Sequence, residues 1–372
     1  MPHSIDHTAN DPNQARSLPS ARSVSWRIAL PFLGLLALFL IWSGYWWVAS
    51  SMSRHGFEDW VQKAAQHGMT LSCNDQDWGG YPFRIEMSCV PLKLSWASKA
   101  GAGSIDLGRL ETVFQLYNPR HVLAAGAPPA TYRIGEAGLA APSTIISTSF
   151  GEATSSLIFS EGDLARTDLV LKEAVADFGG RDGYFAQGRA RYLEVHTRFI
   201  ERAGGPSPVL EFAASGQEVS LAGPAVTSAT GIPIELDRLT LRGETDTQLN
   251  TTLDPSSALR EFVAKGGVIK ITRLNGQHEA VNIDATGEVT FDAQGRANGD
   301  LATEVTNLKS ILDQLREAGR LGELEAAFSL NMLTMLEGAT SGREGALHVK
   351  VAIRNGNVYF GPFEILELPP LF

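Results

Sequence analysis

The stretch LHVKVAIRNGNVYF, Leu347 to Phe360, sets apolar Leu347, Val349, Val351 and Ile353 against polar His348, Lys350 and Arg354. A period of two sends alternate side chains to opposite faces of a strand, so this segment predicts a sheet with one greasy side and one wet side. Asn355-Gly356 then supplies the two positive-φ positions of a type I′ turn, which returns the chain as an antiparallel neighbour. The alternation recurs upstream. Leu193, Val195 and Phe199 share one side of their segment; Leu239 and Leu241 oppose Arg238 and Thr240; Val281, Ile283 and Ala285 oppose Asn282, Asp284 and Thr286. Parallel strands, covered on both faces, would read as continuous apolar runs instead. The expected fold is mainly β (α+β): a long, curved antiparallel β-sheet with a few helices.

Helical spacing is confined to a few places. Residues 53–68 predict a helix capped by Ser53 and ended by Gly68, with Phe57, Trp60, Val61 and Ala64 on one face. A second follows a cap at Asp254, with a stripe of Ala258, Phe262 and Val263. Two more carry Leu308, Ile311, Leu312 and Leu315, then Leu324, Phe328 and Met332. So few helices cannot cover so much one-sided sheet. Either the sheet closes on itself around a filled core, or part of its apolar face lines a groove able to take an acyl chain.

The N-terminus sets the compartment. Residues 1–25 are polar and read as a disordered tail. From Ile28 to Ala49 there is no charged residue, enough helix to cross about 30 Å of hydrocarbon. Trp26 stands at one end of this run, and Trp42, Tyr45, Trp46 and Trp47 stand at the other, as interfacial belts do. Arg16, Arg22 and Arg27 precede the span, which favours an N-terminus inside and the remainder outside. The reading is a single-pass signal anchor over residues 26–50, followed by one exported domain over 51–372. A cleaved signal peptide is the alternative, disfavoured by the bulky Tyr-Trp-Trp-Val at its end. A net charge of −10 with no basic run excludes a phosphate-backbone binder, so no nucleic-acid partner is expected.

The only two cysteines, Cys73 and Cys89, bracket the turn chemistry Asp-Trp-Gly-Gly-Tyr-Pro. A hairpin centred on Tyr81 sets Cys73 directly opposite Cys89, as a disulfide requires, and Trp78 opposite Arg84. It also gathers Leu71, Cys73, Phe83, Ile85, Met87 and Cys89 on one face. In an exported domain the pair would be oxidised. Two free thiols, or half a metal site with His67, are the alternatives.

Three segments together resemble a known family: Gly80-Tyr81-Pro82-Phe83-Arg84 soon after the anchor, FQLYNPRHVLAA (Phe114–Ala125), and the closing VAIRNGNVYFGPFEILELPPLF. They are similar to domain of unknown function 2125 (DUF2125), an envelope family found mainly in alphaproteobacteria and related to AsmA-like proteins. The resemblance runs from about residue 30 onward and is poor over residues 140–230, which leaves open whether those form a separate lobe. It implies a bacterial inner-membrane protein with a periplasmic β-rich domain linked to lipid or outer-membrane homeostasis. It carries over no catalytic residue, and the motif residues Gly80, Tyr81, Pro82, Phe83 and Arg84 read as structural.

No motif supplies a reaction. There is no nucleophile elbow, no zinc spacing and no Walker loop, and Gly101-Ala102-Gly103 lacks the third glycine of a dinucleotide turn. His55, His121, His196, His278 and His348 are widely scattered, and Asp75 with Asp77 lacks the rest of an oxygen cage. The expectation is a non-catalytic, membrane-anchored protein without metal or cofactor, its partners the membrane and either lipid or other envelope proteins. A scaffold with a filled core is the first alternative, and a hydrolase assembled from distant residues the second.

Overall fold

The computed structural model describes residues 26–98, 101–135, 144–161, 163–180, 183–201, 208–230, 233–247, 255–307, 310, 313, 316, 346–360, 363–368 and 370–371. The chain forms two units, residues 1–48 and 49–372. The first contains most of the apolar part of helix α1 (Trp26–Gln66). That helix is long and apolar enough to cross a membrane, and its large side chains are exposed on every side: Phe32 by 69%, Leu35 by 65% and Ile41 by 70%. A helix apolar all round needs an apolar solvent.

Within the second unit α1 runs on to Gln66, so residues 53–66 are not a separate helix. Ser53 does not cap it. Its hydroxyl donates to the Ala49 carbonyl one turn back, at 2.8 Å, as an interior serine does. Nothing in Ala-Ser-Ser-Met breaks the helix, so no new N-terminus arises there. Its end is as expected: Gly68 takes φ +78°, and the His67 and Gly68 amides donate to Ala64 and Ala65 carbonyls.

Sixteen strands follow among the described residues. β1 (Met69–Gly79), β2 (Arg84–Ser98), β3 (Gly101–Gln115) and β4 (Asn118–Gly135) are successive hairpins. β5 (Thr144–Ser149) and β6 (Glu152–Ser160) are two halves of one lane, both pairing with β4 and with β7 (Asp163–Gly180). They meet at buried Phe150. β8 (Gly183–Ile200), β9 (Val209–Ala222), β10 (Ile234–Thr245), β11 (Ile269–His278), β12 (Val281–Phe291) and β13 (Ala297–Thr306) continue the meander. β14 (Ala346–Arg354), β15 (Asn357–Phe360) and β16 (Phe363–Glu367) end it. All strands belong to one sheet, each lane beside its sequence neighbours, and every described pairing is antiparallel. The Asn355-Gly356 turn takes φ of 51° and 90°, as a type I′ hairpin demands.

Among the described residues, two short helices, α2 (Pro224–Thr230) and α3 (Pro255–Ala264), pack on the sheet. α2 touches β8, β9 and also β16; α3 touches β3. Contacts between lanes so far apart in order require the sheet to curl. Ala258 and Phe262 of α3 are buried as the stripe implied, whereas the Asp254 cap and the apolar stripes at 308–315 and 324–332 lie outside the described residues. α2 had no periodic signal, being about two turns opened by Pro224 after Gly223 at φ +132°.

The register of the first hairpin differs from the expected one. Trp78 faces Met87, Gln76 faces Cys89, and Cys73 faces Leu92. Pairing skips a position at Asn74 and Pro91, where the parity of inward residues changes on both strands. Cys73 and Cys89 therefore join diagonally, with Cα atoms 5.5 Å apart, and both are half-cystines of one disulfide. Ile85, Met87 and Cys89 are buried on the expected face, but Phe83 is exposed by 63%. Arg84 does not stack on Trp78. That ring is covered by Arg54 at 5.7 Å and meets Phe57 edge-on at 6.0 Å, because the helix occupies that side of β1.

Candidate functional site

Residues paired across a ladder project to the same face, so the register converts strand-by-strand alternation into continuous rows. One row runs Cys89, Leu110, Gly126, Ala153, Leu171, Leu193, Gly216, Leu239, Gly276, Ile283, Val305 and Leu347. It crosses twelve lanes, about 50 Å at the usual spacing, without a polar side chain. A parallel row includes Val195, Ala214, Leu241, Leu274 and Ala285, and another Phe212, Gly243, Ile271, Gly287, Leu301 and Val351.

Burial along this face is uneven. Val289, Leu301, Val305, Leu347 and Ile353 are buried, and Ala285, Val289, Ala297, Leu301 and Ile353 form the largest core cluster. In the middle lanes, Leu169, Leu171, Leu193, Val195, Leu239 and Leu241 are only half-buried. Glycines in the rows let large neighbours lie flat: the Phe212 ring lies over Gly243, and Phe178 over Gly188.

The other face is charged. Arg166 and His196 both hold Asp168, at 2.9 and 2.6 Å; Lys172 holds Glu152 at 2.7 Å; Arg198 holds Glu211 at 2.5 Å; Arg354 and Lys350 hold Asp300 at 2.7 and 3.1 Å. Exposed pairs of this kind add at most about 1 kcal/mol each, but together they assign this face to water. A hollow of about 800 Å³, rimmed by Asp284, Asp300, Glu304, His348 and Lys350, opens on this side over Ala302. The Asp300 carboxyl is held below its ordinary range by the hydrogen bond from Arg354, then by Lys350. Glu194 is held low by the Ser215 hydroxyl and then by Tyr192. At Asp168 partial burial pushes upward, and the hydrogen bonds from His196 and Arg166 together outweigh it.

Asp168, Glu194, His196 and Ser215 are a cluster that sequence reading missed, because three strands contribute to it. Its geometry is that of a cross-strand polar ladder. Ser215 donates to Glu194 Oε1 at 2.9 Å, while His196 spends Nδ1 on Asp168 and leaves Nε2 3.8 Å from the same Glu194 oxygen. A nucleophile needs its base on its own hydroxyl, and here the hydroxyl points to a carboxylate that already accepts from Tyr192. Among the described residues no three His, Cys, Asp or Glu side chains are grouped as metal ligands.

The residues singled out in sequence gather at one hairpin. Gly80 takes φ +100° and receives the Arg84 amide on its carbonyl at 3.1 Å; a Cβ there would lie 2.6 Å from the Arg84 carbonyl. Arg84 Nε is 2.5 Å from Glu86. Tyr81 and Phe83 are exposed at the tip. Gly80 to Arg84 therefore shape a turn, and the apolar rows lie elsewhere.

Fold and faces together define a class: an up-and-down antiparallel sheet, apolar on one face and ion-paired on the other, behind a helix able to cross a membrane. The chain matches, over residues 46–369, the family described as "Uncharacterized protein conserved in bacteria (DUF2125)", and it belongs to that family. Comparison with curated proteins returns no match.

Proposed function

We propose that this protein is a non-catalytic handler of lipid, anchored by α1 in the bacterial inner membrane with its sheet in the periplasm, the half-buried apolar side chains of the middle lanes taking acyl chains. The observation that carries this reading is the unbroken apolar row that crosses twelve lanes while its central leucines stay half-buried. A water-exposed apolar strip of that length is costly unless something apolar covers it. The membrane-spanning length of α1 supports lipid as the occupant, since it would hold the sheet beside a reservoir of acyl chains. The Cys73–Cys89 bridge suits an oxidising compartment.

Organic extraction of the detergent-purified full chain, followed by mass spectrometry, tests the reading. Lipid above the level carried by an unrelated single-pass protein is expected, and Leu193→Asp with Leu239→Asp should remove the excess. Equal lipid in the control would sink it. A reporter active only outside the cytoplasm, fused after Phe372, should be active; a silent reporter would overturn the orientation.

The closed C-terminal lanes favour a second role in the same molecule. The cluster around Val289, Leu301 and Ile353 is a filled core, and that end would act as a scaffold.

A further inference from the structure

Arg242 of β10 and Arg273 of β11 stand directly opposite each other. Their neighbours Leu241 and Leu274 lie in an apolar row, so both guanidiniums project from the ion-paired face, where both are exposed. Like charges at opposed positions of a ladder repel. The next outward pair, Glu244 opposite Lys270, has opposite signs, as ladders favour. Among the described residues neither Arg242 nor Arg273 has an ion-pair partner. Acids on the same face are engaged elsewhere. Glu211 is held by Arg198, Asp300 by Lys350 and Arg354, and Asp284 accepts from the Asn275 and Asn282 amides at 3.0 and 2.5 Å.

A bulge in β11 creates the pair. Arg242 faces Arg273, but Gly243 faces Ile271, so Thr272 is an extra residue on that side. Towards β12, Ile271 faces Gly287 and Leu274 faces Ala285, which leaves Thr272 and Arg273 together opposite Thr286. Two consecutive residues are therefore exposed between inward Ile271 and Leu274. The Thr272 hydroxyl donates to the Arg242 carbonyl at 3.2 Å and ties the bulge to β10. Each arginine borders a hollow. Arg242 and Thr272 line one of about 430 Å³ beside the Arg198–Glu211 pair, and Arg273 and Thr286 line the one over Ala302.

We propose that Arg242 and Arg273 bind one phosphate-type oxyanion between them, with the Thr286 hydroxyl as a further donor. A guanidinium offers paired N–H donors at the spacing of phosphate oxygens, and two of them facing each other can grip one group from both sides. The bound anion removes the repulsion across the ladder and accounts for a like-charged pair in a chain of net charge −10. Free phosphate and the phosphate of a lipid headgroup share this chemistry. The site is on the face away from the apolar rows, so it stands independently of what those rows carry.

Calorimetric titration of the detergent-purified full chain, in chloride buffer of fixed ionic strength, tests the site. Inorganic phosphate is one probe. Glycerol phosphate, a headgroup without acyl chains that the apolar lanes would not take, is the other. Saturable binding is expected, weakened about tenfold or more in Arg242→Gln with Arg273→Gln and unchanged in Lys270→Gln, a nearby exposed cation. Tighter binding of inorganic phosphate assigns the site to the free ion, and tighter binding of glycerol phosphate assigns it to a headgroup. No saturable binding of either probe, binding that survives the double variant, or equal weakening in Lys270→Gln overturns the proposal. Without phosphate, the double variant should melt no lower than the parent, because a repulsive pair has been removed. A lower midpoint would make the arginines structural and overturn the site as well.

Discussion

Gly243 has no side chain because a Cβ there would meet the Phe212 ring on one side and the Lys270 carbonyl, 2.7 Å away, on the other. Gly243→Ala should therefore cost about 1–3 kcal/mol, read as a lower thermal midpoint, since neither neighbour can yield without disturbing its lane. The bridge is a second residue-scale lever. Its half-cystines are 16 apart in sequence, and reduction should remove about 3 kcal/mol in the chain-entropy model, with non-reducing peptide maps showing the two peptides joined. Acid titration is the third. Asp168 and Glu194 have folded-state values below the ordinary 3.8 and 4.5. Their contribution is complete above those values and lost as pH falls through the depressed ones. Thermal midpoints should drop below about pH 4, less steeply in Asp168→Asn and Glu194→Gln. The pairing of the cysteines was legible from their setting. The partners of Trp78 were not, because Arg54 reaches it from a helix and no local pattern reports that.

At the scale of elements, alternation was a reliable guide wherever one face is greasy and the other charged, as in β8, β10, β12 and β14. Register was harder. The β1–β2 ladder keeps one register on both sides of Asn74 and Pro91, offset by three from a hairpin centred on Tyr81, so the turn itself sets the offset, which periodicity does not report. Helix ends split the same way. Gly68 stops α1 through its own backbone, whereas Ser53 is a cap only if the chain enters the helix there, and it does not. The β14–β15 turn offers a check on an element that was read correctly. Gly356 sits at φ +90°, where a Cβ would also lie 3.0 Å from the Leu368 carbonyl. Gly356→Ala should destabilise by about 1 kcal/mol or more, with the loss greatest in amide protection across β14, β15 and β16.

Across the whole described sheet, the candidate site exists only as a sum. Each strand donates one or two residues to a row, so sequence shows twelve separate apolar faces and the ladder alone shows that they align. The same architecture predicts a gradient of local stability. The C-terminal lanes hold the buried cluster around Val289 and Leu301, while β7 to β10 keep half-buried leucines. Native-state hydrogen exchange should be slowest in β12 to β14 and faster in β7 to β10. Lipid bound to the middle lanes should narrow that difference.

Because nearly every lane leans only on the lanes beside it in sequence, a two-strand unit can in principle be inserted or removed without redesigning the rest. Each hairpin added or removed would change the width of the sheet along its strand order by about 10 Å.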